Sequence, residues 1–161
     1  MKRIHLALLA GLIAMGAGSA HAQGRFDRYG YHPPKLPKIE IIQKGQNNGA
    51  AVSQNGKVNA AGINQNGANN TGMINQTGSG NDASIRQLGR GNDASISQTG
   101  DNNAACVVQI GKNLSSGVVQ TGGQNQGVIQ TKKGSYNIPA QLCSLDPGSK
   151  GYWQRLGFKG Y

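Results

Sequence analysis

The sequence predicts an all-β fold. It is a β-solenoid of eleven-residue strand-and-turn half-repeats, 22 residues to a coil in about four cross-β-stacked coils, between flexible basic flanks. Three observations predict it. Gln stands at 43, 54, 65, 76, 87, 98, 109 and 120, each eleven residues after the last. Around each Gln, every second residue belongs to a repeated column, which is the alternation of a strand with two unlike faces. The tract holding the period contains no Pro and no aromatic residue, as expected where every backbone N–H serves a ladder. Gln, Asn and Gly can also compose a disordered tract. Random low complexity does not keep columns in phase over such a length, and the spacing decides for a repeat.

The elements follow in order along the 161 residues. Residues 1–22 read as a secretory signal peptide: Lys2-Arg3, an apolar run from Ile4 to Met15, and Ala20-His21-Ala22 before Gln23. The apolar run is too short to span a membrane. Residues 23–38 form a Pro- and aromatic-containing basic segment, 39–131 the solenoid, and 132–161 a basic, aromatic extension. The flanks carry charges of +3 and +4, and the solenoid is nearly neutral at +1.

Within the solenoid, Gly follows each Gln by two, at Gly45, Gly56, Gly67, Gly78, Gly89, Gly100, Gly111 and Gly122. Asn follows by five, at Asn48, Asn59, Asn70, Asn81, Asn92, Asn103 and Asn125, with Leu114 the exception. Gly and Asn are expected to bracket a four-residue turn, Gly accepting positive φ and Asn tolerating left-handed geometry. A small residue stands seven after, and an apolar one nine after: Val52, Ile63, Ile74, Ile85, Ile96, Val107 and Val118. After Asn125 one residue is missing, so Val128 takes the apolar place and Gln130 arrives a step early. An interior of Gln, Asn, Ala and Ile/Val buries amides, each costing ~1–3 kcal/mol if unpartnered. Stacked in register they satisfy one another, Gln on Gln and Asn on Asn. Their role is structural.

Enzyme chemistry finds little to work with. Once residues 1–22 leave, His32 is the remaining histidine, and two cysteines with one histidine cannot close a zinc site. No catalytic residue, metal or cofactor is expected. Calcium-binding Gly-Gly-x-Gly-x-Asp loops are absent, and Asp82 and Asp93 fall on opposite sheets. An outward column of Asn55, Thr77, Thr99 and Thr121 suits ice binding, but its partner column of Ser53, Asn75, Ser97 and Val119 is mixed.

The unit Gln-x-Gly-x-x-Asn-x-Ala-x-Ile/Val-x-Gln, in tandem behind a secretory signal, resembles the curlin repeat over residues 39–131. Asn81-Asp82-Ala83-Ser84-Ile85 and Asn92-Asp93-Ala94-Ser95-Ile96 are most similar to the minor, nucleating subunit of curli. The resemblance implies an extracellular amyloid fibre at the bacterial surface, with roles in adhesion and biofilm matrix. It implies self and other curlin subunits as partners, reached by export through the periplasm and a curli-type outer-membrane channel. The alternative function is a soluble, monomeric secreted solenoid binding polysaccharide or another surface polyanion. Basic flanks suit anionic surface or matrix polymers, with no specific nucleic acid implied.

The two cysteines and the extension from Lys132 depart from the curlin plan. In an exported protein a Cys106–Cys143 disulfide is expected. Cys106 points outward beside Val108 and Ile110, with Ile129 one coil on, and cover is expected from Leu142, Leu145, Tyr152 and Trp153. A tail folded over the final coil blocks addition there and leaves the Ile39–Gln43 edge for growth. That is the asymmetry a nucleator needs.

Overall fold

The computed structural model describes residues 37–144. Ten strands follow one another: β1 (Lys38–Gln46), β2 (Gly49–Asn55), β3 (Ala60–Ala68), β4 (Thr71–Thr77), β5 (Asp82–Arg90), β6 (Asp93–Thr99), β7 (Ala104–Lys112), β8 (Ser115–Thr121), β9 (Asn125–Thr131) and β10 (Gly134–Ile138). A 3-10 turn spans Ala140–Ser144. The odd strands β1, β3, β5, β7 and β9 make one parallel sheet, with β10 on its edge, and β2, β4, β6 and β8 make the other. Successive coils lie in register, Ile63 beside Ile85 and Gln65 beside Gln87. The fold is the expected β-solenoid.

The two sheets are not alike. The first-sheet strands β1, β3, β5 and β7 have nine residues and those of the second sheet seven. The eleven-residue unit predicts the same four-residue turn at every corner. At half of the corners, instead, pairing continues through the glycine, Gly45 opposite Gly67 and Gly67 opposite Gly89. Both kinds of corner bond from coil to coil: Asn69 N donates to Gln46 O and Gly80 N to Lys57 O, each at 3.0 Å.

Each corner contains two residues of positive φ. One is the glycine two after Gln, at 105° for Gly45 and 132° for Gly89. A Cβ on Gly67 would also collide with the carbonyl oxygen of Gly89, so both conformation and close approach require glycine. The second is not the Asn five after Gln, which the columns predict, but the residue before it. Asn47, Val58, Asn69, Gly80, Gly91, Asn102 and Asn113 hold φ between 52° and 70°. This kink turns the following Asn inward.

Ala61, Ile63, Ile74, Ala83, Ile85, Ala94, Ile96, Ala105, Val107, Val118 and Val128 form one core between the sheets. Val52 packs against it and is only partly buried, because it belongs to the first coil. The missing residue lies before Asn125, not after it. The corner 122–124 has three residues, which puts Asn125 opposite Ala104 and Val128 opposite Val107.

The first part of the extension, expected to be flexible, forms regular structure. Residues 134–138 turn back as β10, antiparallel to β9, with Tyr136 opposite Ile129. The expected signal peptide, residues 23–36 with His32, and Leu145, Tyr152 and Trp153 lie outside the described residues.

Candidate functional site

The eight Gln of the period, together with Gln130, build two ladders, one along each sheet. In the first sheet the side-chain Nε2 of Gln43 donates to Oε1 of Gln65 at 2.7 Å. The ladder continues from Gln65 to Gln87 at 2.8 Å, to Gln109 at 2.9 Å and to Gln130 at 2.9 Å. In the second sheet Gln54, Gln76, Gln98 and Gln120 are joined at 2.7, 2.9 and 2.8 Å. The other Nε2 hydrogen crosses to a backbone carbonyl of the facing strand, Gln65 to Gly49 at 2.7 Å and Gln87 to Thr71 at 2.8 Å. Glutamines so bonded tie coil to coil and sheet to sheet. Gln65, Gln76, Gln87, Gln98, Gln109 and Gln120 are fully buried, and these bonds satisfy them.

The asparagines form a second system at the corners. Oδ1 of Asn48, Asn59, Asn70 and Asn81 accepts the backbone N–H of Asn70, Asn81, Asn92 and Asn103 respectively, at 3.0 to 3.1 Å. Their Nδ2 groups reach glycine carbonyls, Asn59 to Gly78 at 2.9 Å and Asn81 to Gly100 at 2.8 Å. Asn125, expected in this ladder, is outside it. Its place is taken by the Gln124 backbone, whose N–H donates to Asn103 Oδ1 at 3.1 Å. The displacement follows from the three-residue corner, and Asn125 Oδ1 instead accepts Ala140 N at 2.7 Å. In the other column Leu114 N donates to Asn92 Oδ1 at 3.2 Å, and leucine offers nothing to a following coil.

Both glutamine ladders have a direction. Nε2 always donates toward the C-terminal end, so the N-terminal end presents acceptors. There Gln54 Oε1 is buried with no hydrogen-bond partner. The β1 and β2 edges are open at this end. At the other end β10 occupies the position beside β9, while β8 keeps a free edge.

Outside the first sheet Cys106 and Cys143 are joined in a disulfide, Cα to Cα 6.1 Å. Cys106, Val108, Ile129 and Cys143 form a second apolar cluster, with Ile110, Ile138 and Ala140 packed on it. The cover comes from β10 and the 3-10 turn, whereas the expected Leu142 is only half-buried. Sequence reasoning missed β10 and Gly127. A Cβ at Gly127 would press on Cys106 Sγ, Ile138 and Cys143 Sγ, so its absence makes room for the bridge. Beside the turn a shallow groove is lined by Glu40, Asp82, Ser84, Arg86 and Gln141. Partial burial there raises the pKa of Asp82, and the Lys38 charge offsets part of the rise. Among the described residues no three His, Cys, Asp or Glu converge as metal ligands.

The parallel two-sheet solenoid, filled by continuous amide ladders, has the in-register stacking of cross-β assemblies. The model described as the curlin associated repeat matches residues 59–89, 67–100 and 89–122. Together these matches span residues 59–122, so the tract from the third to the eighth strand carries curlin repeats. Comparison with curated proteins gives no match. These repeats support a curli-like amyloid subunit.

Proposed function

We propose that this chain is a nucleator-like subunit of curli-type fibres acting in adhesion and the biofilm matrix. One observation carries the reading: the two ends of the solenoid differ. The first coil offers two open parallel edges, and the position after β9 is filled by an antiparallel strand latched through Cys106 and Cys143. An ordinary fibre subunit needs both ends free, whereas a nucleator or terminator needs one. In this reading the mature chain begins at Gln23 and leaves by a curli-type outer-membrane channel. The basic flanks, +3 and +4, hold it on an anionic surface or matrix polymer.

The test is incubation of purified mature protein, oxidised and reduced, followed by thioflavin fluorescence and fibre diffraction. Cross-β fibres with a ~4.8 Å reflection are expected. A chain that stays monomeric for days at micromolar concentration in both redox states overturns the reading. Such a monomer, with β-type circular dichroism, favours a soluble polysaccharide-binding solenoid.

A further inference from the structure

We propose that Asn55–Gly56 is a self-modification site, where the Asn55 side-chain amide is lost to give aspartate and isoaspartate. The isoaspartate loosens the first coil from the second, so the site acts as a slow clock on the chain. The step needs no partner but water, and it holds whether or not the chain forms fibres.

The chemistry is that of asparagine before glycine. The glycine nitrogen, with no side chain beside it to block approach, attacks Cγ of the preceding asparagine. The N–Cγ bond forms, the Cγ–Nδ2 bond breaks, and the glycine N–H proton leaves with Nδ2 as ammonia. Water then opens the cyclic imide at one of its two carbonyl carbons. Opening at Cγ leaves aspartate, and opening at the main-chain carbonyl leaves isoaspartate, with one extra carbon in the backbone. The attack requires a glycine N–H free of any hydrogen bond and a side-chain amide free to swing onto it.

The chain has three Asn–Gly pairs, at 48–49, 55–56 and 66–67. The fold protects two of them. Gly49 N donates to Asn70 O at 2.8 Å. Asn48 is itself held, its Nδ2 donating to Gly67 O at 3.0 Å and its Oδ1 accepting Asn70 N at 3.0 Å. Asn69 N bonds to Gln46 of β1, so the alternation of the parallel ladder turns Gly67 N toward β1 as well. Gly56 has no such protection. Glycines at its place in later coils, Gly78, Gly100 and Gly122, each donate N–H to the coil before at 2.9 Å. Gly56 belongs to the first coil, and among the described residues nothing accepts its N–H. Asn55 is exposed, and its side-chain amide bonds to none of them. Residue type follows the same division: Thr77, Thr99 and Thr121 precede the bonded glycines, and threonine cannot form the imide.

The product acts on the second coil. Asn55 O accepts Gly78 N at 2.9 Å. The corner ends at buried Asn59, whose Oδ1 accepts Asn81 N at 3.0 Å. Isoaspartate turns the Asn55 carbonyl into a side carboxylate and lengthens the path to Asn59 by one carbon. Both acceptors then leave the register that Gly78 and Asn81 require.

The experiment ages the full-length mature, oxidised chain at mildly alkaline pH and follows the three pairs by peptide mass spectrometry. Enzymatic carboxyl methylation counts the isoaspartate. In the folded chain Asn55 should convert more than about tenfold faster than Asn48 or Asn66, whose glycine N–H groups are released only by local opening. In denaturant the three rates should come together, since glycine follows each. Asn55→Thr, the residue of the later coils, should keep the fold and abolish the fast conversion. Hydrogen exchange of the aged chain should quicken at Gly78 and Asn81 and leave Gly100 and Asn103 protected. Equal rates at the three pairs in the folded chain would overturn the proposal, as would an Asn55 that stays intact until the chain is denatured. Conversion of Asn55 with unchanged exchange at Gly78 and Asn81 would overturn its effect on the coil.

Discussion

At the scale of single residues, the interior tolerates no charge and the outside does. Ile85 is enclosed between Ile63 and Val107 in the stacked core, while Ser84 beside it is exposed. Ile85→Asp should cost more than about 3 kcal/mol, because the carboxylate has no partner there. Ser84→Asp should be mild, and chemical denaturation with assembly rate compares the two. Val58 is a different case. It holds φ of 60° at a place occupied elsewhere by Asn or Gly, and a β-branched residue is strained there. Val58→Gly is expected to stabilise the native chain by ~1 kcal/mol, read as a shifted denaturation midpoint. The column that reveals this strain is visible in the sequence as Asn, Val, Asn, Gly, Gly, Asn, Asn four residues after each of the first seven Gln. The more regular Asn at five draws the left-handed assignment, although its regularity reflects a buried side chain.

At the scale of elements, strands were legible and their ends were not. The alternation of Gln, Asn, Ala and Ile/Val dictates which face is buried, since a one-residue slip would expose the whole set. Strand length is different: one eleven-residue unit serves both sheets, yet β5 has nine residues and β6 seven. β10 was illegible for a related reason: Gly-Ser-Tyr-Asn-Ile has neither the period nor the columns, and it is a strand because β9 offers an edge. Its attachment depends on the disulfide. Closing a separation of 37 residues contributes about 4 kcal/mol in the chain-entropy estimate. Cys143→Ser should therefore make the backbone amides of β10 exchange faster while those of β5 stay protected, as hydrogen exchange would show. The groove under the turn gives a pH dependence. Asp82 has a folded-state pKa above its ordinary value of 3.8, so the native state holds that proton more tightly than the unfolded one. Stability then falls as pH rises through the window above that value, and it is highest below it. Lys38, Glu40 and Arg86 share this face, with Lys38 and Glu40 paired at 3.3 Å. Asp82→Asn should flatten this part of the profile of denaturation midpoint against pH.

At the scale of the whole molecule, the asymmetry of the ends governs growth. Deleting residues 132–161 removes β10 and the latch, while the stacked core from Ala61 to Val128 lies within what remains. Seeded growth of the deleted chain should be faster and its fibres longer. Unchanged kinetics would mean that the extension does not limit addition.

The alternation of corners also bears on how such a gene can lengthen. A duplication or loss of one full coil, 22 codons, returns every downstream residue to its own sheet and its own type of corner. A change of a single unit, eleven codons, would hand each downstream strand to the opposite sheet. Side chains fitted to nine-residue strands would then fall on seven-residue ones. Placed between Cys106 and Cys143, such an insertion would carry the second half of the latch away from the first. Variation in coil number is therefore quantised in pairs of units, although the sequence repeats singly.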